Sequence, residues 1–328
     1  MIETNDAVGG YLPLELPQHP LPAHLAGAFA YQSARAAFLA VLQAVRPRRV
    51  WVPWYICDSM VEPLQRTGIA VQPYALDASW APMDVALGAG DLLLHVNHFG
   101  LLDHVQERLA AELPREQLVF DNAQAFYAAP RGVLATLYSP RKFFGLPDGG
   151  LLLAPGVTLP PPAADEGSLA RCEHLLARHA RDAEAGYASF GRAEASLQLQ
   201  PPLAMSQLTR RLLQAVDFDA ASARRRANFA HLAQALDESN GLRWTLGSDA
   251  VPLCYPFLAR RGGLRPLLAA GRIYTPCYWP ELLDGRQLPQ REAGWADRLL
   301  ALPIDQRYDA GILSTRLLAP LQRLLAGK

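Results

Sequence analysis

The sequence predicts an α/β fold in which helices cover both faces of a mostly parallel sheet, followed by a smaller α+β part. Short apolar runs alternate with amphipathic helical patterns up to residue 153. These runs are apolar throughout, which is typical of strands buried on both faces of a parallel sheet. A proline-rich connector at 155–162 then interrupts the alternation, because proline suits neither a helix interior nor a central strand.

The first elements follow from capping residues and apolar spacing. Ser33 is predicted to cap a helix over 34–45, whose apolar residues fall on one face. Residues 50–52 and 69–75 are predicted strands on either side of a helix that Asp58 caps. These segments together predict a β-α-β unit.

The remaining elements complete one sheet and a second domain. Four more apolar runs predict strands at 91–96, 117–120, 134–137 and 150–153, with a helix at 103–113. The first sheet is predicted to end at Leu153. Beyond the connector, helices are predicted over 169–185, 206–216, 220–236 and 312–325, and a strand over 251–258. We therefore expect a large domain with linking helices over 1–200 and a small C-terminal domain over 201–328.

Composition excludes several classes of protein. The 31 basic and 31 acidic residues cancel, so the long-range positive field of a nucleic-acid-binding protein is absent. No apolar run reaches the eighteen or so residues that cross a membrane, and residues 1–6 lack the features of a signal peptide, so we expect a cytoplasmic location. The four cysteines form no Cys-x-x-Cys pair, which disfavours a disulfide framework and a zinc site. No metal is expected.

Lysine is almost missing from this chain. The 31 basic residues comprise 29 arginines and only two lysines, Lys142 and Lys328. Arginine replaces lysine in surface ion pairs, but its guanidinium stays protonated and cannot act as an amine nucleophile. Lys142 is therefore either a chance survivor on a loop or a residue kept for its amine.

Three places along the chain could carry chemistry. In a parallel α/β sheet, ligands bind beyond the carboxyl ends of the strands. Asp121 directly follows a predicted strand, where it is either a helix cap or a carboxylate that needs a cationic partner. Lys142 follows the next strand and has aromatic neighbours. Ser33 and Ala34 begin a helix, where free N–H groups and the helix dipole favour an anion such as phosphate.

An amine, a strand-end aspartate and a phosphate-binding helix start are what a protein must supply to hold pyridoxal 5'-phosphate. Five segments contain these residues: SARAAFL at 33–39, VWVPWY at 50–55, VNHFG at 96–100, FDNAQA at 120–125, and the lysine segment at 138–150. Their order and spacing resemble the DegT/DnrJ/EryC1/StrS family of fold-type-I pyridoxal-phosphate enzymes, chiefly sugar aminotransferases. FDNAQA, similar to the family's E-D-x-A-Q-A, is the most specific match.

The resemblance implies a role for each matching residue. Lys142 would be the Schiff base lysine and general base, and Asp121 would partner the pyridine nitrogen. Gln124 would lie near the ring hydroxyl of the cofactor. Ser33 and Ala34 would hold the phosphate. Ser139 is a further candidate for phosphate or substrate contact.

The sequence departs from the family pattern at two places near these residues. Asn97 stands where the family usually has histidine. Cys57 is the nearest equivalent of the ring that stacks on the cofactor, with Trp54 and Tyr55 close by.

The resemblance also implies an activity: transfer of an amino group from an amino acid such as glutamate to a keto-sugar, which would be nucleotide-linked, in polysaccharide or secondary-metabolite sugar biosynthesis. It further implies a homodimer with active sites completed at the subunit interface. Another pyridoxal-phosphate enzyme, such as a sugar dehydratase, and a non-catalytic binding or regulatory protein are the alternatives.

Other polar residues remain open at this stage. Arg35, Arg141 and the run 224–226 are candidates for binding a diphosphate. The aromatic loop 274–280 predicts either a substrate wall or ordinary packing. His95, His98 and His104 are interpreted as satisfied histidines rather than metal ligands.

Overall fold

A large sheet organises the computed structural model, which describes residues 8–284 and 287–327. Its strands are β1 (Phe29–Tyr31), β2 (Arg49–Pro53), β3 (Ala70–Tyr74), β4 (Asp91–Val96), β5 (Leu118–Asn122), β6 (Ala135–Tyr138), β7 (Gly150–Leu153), β8 (Ala163–Ala164) and β9 (Leu203–Ala204). They are ordered β3-β2-β4-β5-β6-β7-β1-β9-β8. The five strands from β3 to β6 are parallel, whereas β7 runs antiparallel to β6 and to β1. The predicted α/β class with a mostly parallel sheet is confirmed.

The helices pack against this sheet and continue into the C-terminal part. They are α1 (Ala34–Val45), α2 (Asp58–Thr67), α3 (Asp103–Glu112), α4 (Ser168–Arg171), α5 (Glu173–Ala180), α6 (Ala183–Ser196), α7 (Gln207–Gln214), α8 (Phe218–Leu236), α9 (Leu264–Ala270), α10 (Gln290–Arg298), α11 (Ala310–Leu313) and α12 (Ala319–Leu325). A two-stranded antiparallel sheet of β10 (Cys254–Leu258) and β11 (Leu299–Pro303) lies in the C-terminal part. Within the described ranges, no helix is long and apolar enough to cross a membrane.

The sheet core explains why the strand predictions succeeded. All six residues of β4 and all five of β5 are buried, as expected for central strands covered on both faces. The helix cap at Ser33 is also confirmed, since its Oγ accepts a hydrogen bond from the Ala36 N–H at 3.1 Å. Residues 1–6, on which the signal-peptide argument depended, lie outside the described residues.

Three predicted boundaries are wrong. The sheet does not end at Leu153, because β9 pairs with β1 and β8 pairs with β9. The predicted helix over 169–185 is broken into α4, α5 and the start of α6, since Asp182 leaves the helical conformation to cap α6. Cys57 is the N-cap position of α2, and Asp58 is its first residue.

Candidate active site

The lysine segment is a short turn directly after β6. Pro140–Lys142 form a 3-10 helix, closed by a hydrogen bond from the Lys142 N–H to the Ser139 carbonyl at 3.1 Å. Proline suits the start of such a turn because its missing N–H has no helical partner there. Phe143 and Phe144 are buried immediately beyond it, whereas Lys142 is half-buried. The buried rings fix the backbone, so the lysine side chain starts from a rigid position.

Asp121 lies on β5, next to β6, and its carboxylate interacts electrostatically with the Lys142 amine. The side chain is 3% exposed, and one of its oxygens accepts a hydrogen bond from the Ala123 N–H at 2.8 Å. Burial raises the pKa of the Asp121 carboxyl above its usual value, and the positive charge of Lys142 opposes this rise. The structure therefore brings these two predicted residues together.

The charge of Lys142 also acts on two buried side chains, Cys57 and His98. Burial raises the pKa of the Cys57 thiol, while the Lys142 charge lowers it and the Asp121 charge raises it. Burial lowers the pKa of His98 to about 3, and the Lys142 charge contributes in the same direction. His98 is therefore neutral at physiological pH.

Gln124 is buried beside the same strand end. Its Oε1 accepts a hydrogen bond from the Phe99 N–H at 2.8 Å, which fixes the side-chain amide. Its Nε2 is buried and has no hydrogen-bond partner in the described part of the chain. A buried unsatisfied donor is rare in folded proteins, and it identifies a place where a ligand acceptor would fit.

The start of α1 is joined to the lysine segment through two glycines. The Gly149 N–H donates to the Gln32 carbonyl at 2.6 Å, and Gly149 has a φ of +117°. A Cβ at Gly150 would lie 2.2 Å from the carbonyl carbon of Ser33 and 2.3 Å from the nitrogen of Ala34. The first N–H groups of α1 have no partner inside the helix. The segment that contains Lys142 thus packs, through Gly149 and Gly150, against the helix start that is predicted to bind phosphate.

Not all predicted residues are brought together directly. Among the described contacts, Ser33 and Ala34 reach the lysine segment through Gly149 and Gly150 rather than through Lys142 itself. Ser139 is buried and supplies its carbonyl to the lysine turn, but its hydroxyl makes no hydrogen bond within the described residues.

The arginines considered for a diphosphate are mostly engaged elsewhere. Arg35 pairs with Glu62 at 2.6 Å, and Arg141 pairs with Glu194. Arg225 is fully buried, donates to the carbonyls of Phe143 and Leu253 at 3.0 Å, and lies 4.6 Å over the ring of Phe143. Arg226 donates hydrogen bonds to backbone carbonyls. Of these candidate arginines, Arg224 alone is exposed and forms no ion pair within the described ranges. Arg225 in particular holds the backbone that follows Lys142.

Two sequence features acquire a structural explanation. The amide of Asn97 donates to Asp103 at 2.5 Å and its carbonyl oxygen accepts from the Leu102 N–H at 2.8 Å, so this residue fixes the start of α3. Trp279, in the aromatic loop, packs in the core with its ring 5.1 Å from that of Tyr55 and 6.0 Å from that of His98. Ordinary packing therefore explains Trp279, whereas Tyr274, at the start of the same loop, is exposed.

Asp148 has a structural role next to the site that the sequence analysis missed. It is fully buried and accepts hydrogen bonds from Arg171 at 2.8 Å and from the hydroxyls of Ser168 and Thr209 at 2.5 Å. These bonds join the residue before the two glycines to α4 and α7. The signal was the acidic residue directly preceding two glycines.

Comparison with known proteins identifies the fold. No family model and no curated protein matches the sequence. A DegT/DnrJ/EryC1/StrS aminotransferase from Brucella abortus is 15% identical, aligns over 92% of this chain and 86% of its own, and gives a TM-score of 0.60. DesI, solved in the presence of its TDP-sugar product, is 19% identical over 93% of this chain and 84% of its own, with a TM-score of 0.60.

A third solved structure is similar to the same extent. NtdA from Bacillus subtilis, solved with bound cofactor PMP, is 15% identical over 91% of this chain and 73% of its own, with a TM-score of 0.60. At these identities the likeness establishes the fold alone. The chain has the fold-type-I architecture of these aminotransferases, as the sequence motifs predicted.

Proposed function

We propose that this chain is a pyridoxal-phosphate-dependent aminotransferase that moves an amino group from an amino acid such as glutamate to a nucleotide-linked keto-sugar. The observation that carries the proposal is the shared position of the Lys142 amine and the buried Asp121 carboxylate at the ends of neighbouring strands. The unsatisfied Nε2 of Gln124 supports the fit of a cofactor at this place. A cytoplasmic location and the division into domains 1–200 and 201–328 belong to the same proposal.

Each residue has a role in this proposal. Bound pyridoxal phosphate would supply a reactive aldehyde and an electron-withdrawing ring. Lys142 would hold it covalently through Nζ and, once displaced, would carry a proton to and from the reacting carbon. Asp121 would keep a proton on the ring nitrogen by its charge. Gln124 would donate its free N–H to the ring hydroxyl.

The other predicted residues would bind the phosphate and the substrate. The N–H groups at Ser33 and Ala34 begin a twelve-residue helix, and its dipole would favour the phosphate dianion. The hydroxyl of Ser139 would add a hydrogen bond to phosphate or substrate. The TDP-sugar product of DesI, a protein of the same fold, supports a nucleotide-linked sugar as the acceptor.

Trapping with borohydride tests the covalent link. Protein saturated with pyridoxal phosphate and then reduced should carry about one pyridoxyl group per chain, on the peptide that contains Lys142. The Lys328→Arg variant is a matched control that should label normally, and Lys142→Arg should not label. A change of the visible spectrum on adding glutamate would report amino transfer. Label on Lys328, or no label in saturated protein, would contradict the proposal.

A homodimer is part of the proposed function. Helices α4, α5 and α6 present large apolar side chains to solvent in the single chain, with Leu176 67% exposed and Tyr187 76% exposed. An apolar surface of this kind favours association with a second copy. We expect sedimentation velocity at micromolar concentration to show a dimer. Tyr187→Asp should weaken it at least tenfold, whereas Leu267→Asp, on α9, should not. A wild-type monomer would refute this expectation.

A further inference from the structure

We propose that a second cavity, separate from the candidate active site, binds a neutral oligosaccharide. The cavity has a volume of about 1060 Å³ and lies between the start of α3, the loop before β10 and the loop around Trp80. None of the predicted cofactor residues lines it. A volume near the upper end of the range for small-molecule sites accommodates several sugar rings. This inference does not rest on the proposed aminotransferase activity.

Three of the six tryptophans in the chain lie along the cavity: Trp80 and Trp295 are each only 3% exposed, and Trp244 is half-buried. Trp80 and Trp295 are stacked, with ring centroids 3.8 Å apart and an interplanar angle of 4°. Trp244 lies 5.8 Å from Trp80 and is half-buried, so part of its ring faces the cavity. Its ring N–H donates to the Pro256 carbonyl at 2.9 Å. The electron-rich face of such a fixed indole attracts the weakly positive C–H bonds on the flat face of a sugar ring.

The walls carry equal numbers of opposite charges. Asp103, Glu107 and Asp249 supply carboxylates, and Arg131, Arg243 and Arg291 supply guanidinium groups. The formal charge of the lining is therefore zero apart from His104, which does not favour a strongly charged ligand of either sign. Carboxylates accept pairs of hydrogen bonds and guanidinium groups donate them. Sugar hydroxyl groups both donate and accept hydrogen bonds, so an oligosaccharide can bond to the carboxylates and to the guanidinium groups.

Several of these groups are available for a ligand. Glu107, Asp249 and Arg131 form no hydrogen bond or ion pair within residues 8–284 and 287–327. Arg131 is half-buried and its charge lowers the pKa of Asp103, which burial raises more strongly. Unpaired donors and acceptors beside the half-buried ring of Trp244 can bond to the hydroxyl groups of a sugar.

The cavity is built on fixed backbone. The amide of Asn97 holds the Asp103 carboxylate, and the Tyr127 hydroxyl donates to the Phe218 carbonyl at 2.9 Å. Gly100, with a φ of +72°, turns the chain so tightly that a Cβ there would lie 2.9 Å from the Gln124 carbonyl oxygen. Because these groups are ordered before a ligand arrives, binding costs less conformational entropy.

A fluorescence titration tests the proposal, since three tryptophans lie along the cavity. The full-length protein is titrated with chitotriose, maltotriose and mannotriose, and is applied to an array of neutral glycans. We expect at least one neutral glycan to change the tryptophan emission in a saturable way. Trp244→Ala and Glu107→Ala should each weaken that binding at least tenfold. Glu107 is exposed, so its removal leaves the fold intact even if the tryptophan variant is unstable.

Two controls make the result specific. Trp51→Phe, on β2 and outside the cavity, should bind as the wild type does, and so should Lys142→Arg, which removes the amine of the proposed aminotransferase. Binding lost in Lys142→Arg would assign the sugar to the candidate active site instead and overturn the inference. No binding of any neutral glycan, binding only of charged ligands, or binding unchanged in both Trp244→Ala and Glu107→Ala would overturn it equally.

Discussion

The Asp121→Asn variant is expected to transfer amino groups about a hundredfold more slowly than the wild type, because a neutral amide cannot hold a proton on the ring nitrogen. Stopped-flow absorbance with glutamate and cofactor-loaded protein measures this rate. Asp219→Asn is the matched control, since Asp219 is an exposed carboxylate in the first turn of α8. A rate near that of the wild type in Asp121→Asn would remove this residue from the proposed mechanism.

The same variant separates a loss of chemistry from a loss of fold. Burial raises the pKa of Asp121 in the folded protein above its usual value of 3.8, so ionisation of this group costs folding stability. That cost is absent below the usual pKa and grows as the pH rises through the raised value. Without cofactor, Asp121→Asn should therefore unfold at or above the wild-type temperature near neutral pH, and the two proteins should converge in acid. A lower unfolding temperature near neutral pH would contradict this.

Gly150→Ala is expected to destabilise the fold by about 3 kcal/mol or more, which is a large effect for one methyl group. The added Cβ would lie 2.2 Å from the Ser33 carbonyl carbon, and backbone atoms cannot yield as a flexible side chain can. Urea unfolding monitored by circular dichroism measures the change.

Gly191→Ala provides the opposite control for this prediction. Gly191 lies inside α6, and a Cβ there would meet no atom within 4 Å. Alanine should stabilise the helix by about 0.5–1 kcal/mol, because glycine loses more backbone entropy on folding. If Gly150→Ala unfolded within about 0.5 kcal/mol of the wild type, the close packing of β7 on α1 would be wrong.

Local patterns predicted the strands best where burial is uniform. β4 and β5 are buried at every residue, so their apolar runs carry an unambiguous signal. The direction of β7 was not predictable, because an apolar run does not indicate which strand it pairs with or whether the pair is parallel or antiparallel. The strands β8 and β9 were missed for a related reason: each has only two residues, exposed in β8 and half-buried in β9, and two residues are too few to form a recognisable pattern.

The candidate site shows the same division between local and long-range information. Lys142 and Asp121 were predictable because each follows an apolar run and each is chemically unusual in its place. The buried structural role of Arg225 was not predictable, since a run of three arginines is typical of a solvated helix face. Its burial depends on carbonyls at Phe143 and Leu253, which lie 82 and 28 residues away in the sequence. Such contacts are visible only after the chain has folded.

Because of the position of Lys142, proteolysis can measure the local opening of the turn that contains it. In this sequence the bond between Lys142 and Phe143 is the single internal bond that a lysine-specific endoprotease can cut. The carbonyl of Phe143 accepts hydrogen bonds from both Arg225 and Gln306 in the folded chain. The protease can therefore cut this bond only after the segment has detached from the rest of the protein. The rate at which fragments 1–142 and 143–328 appear therefore measures the free energy of opening at one known place, without labels or engineered sites.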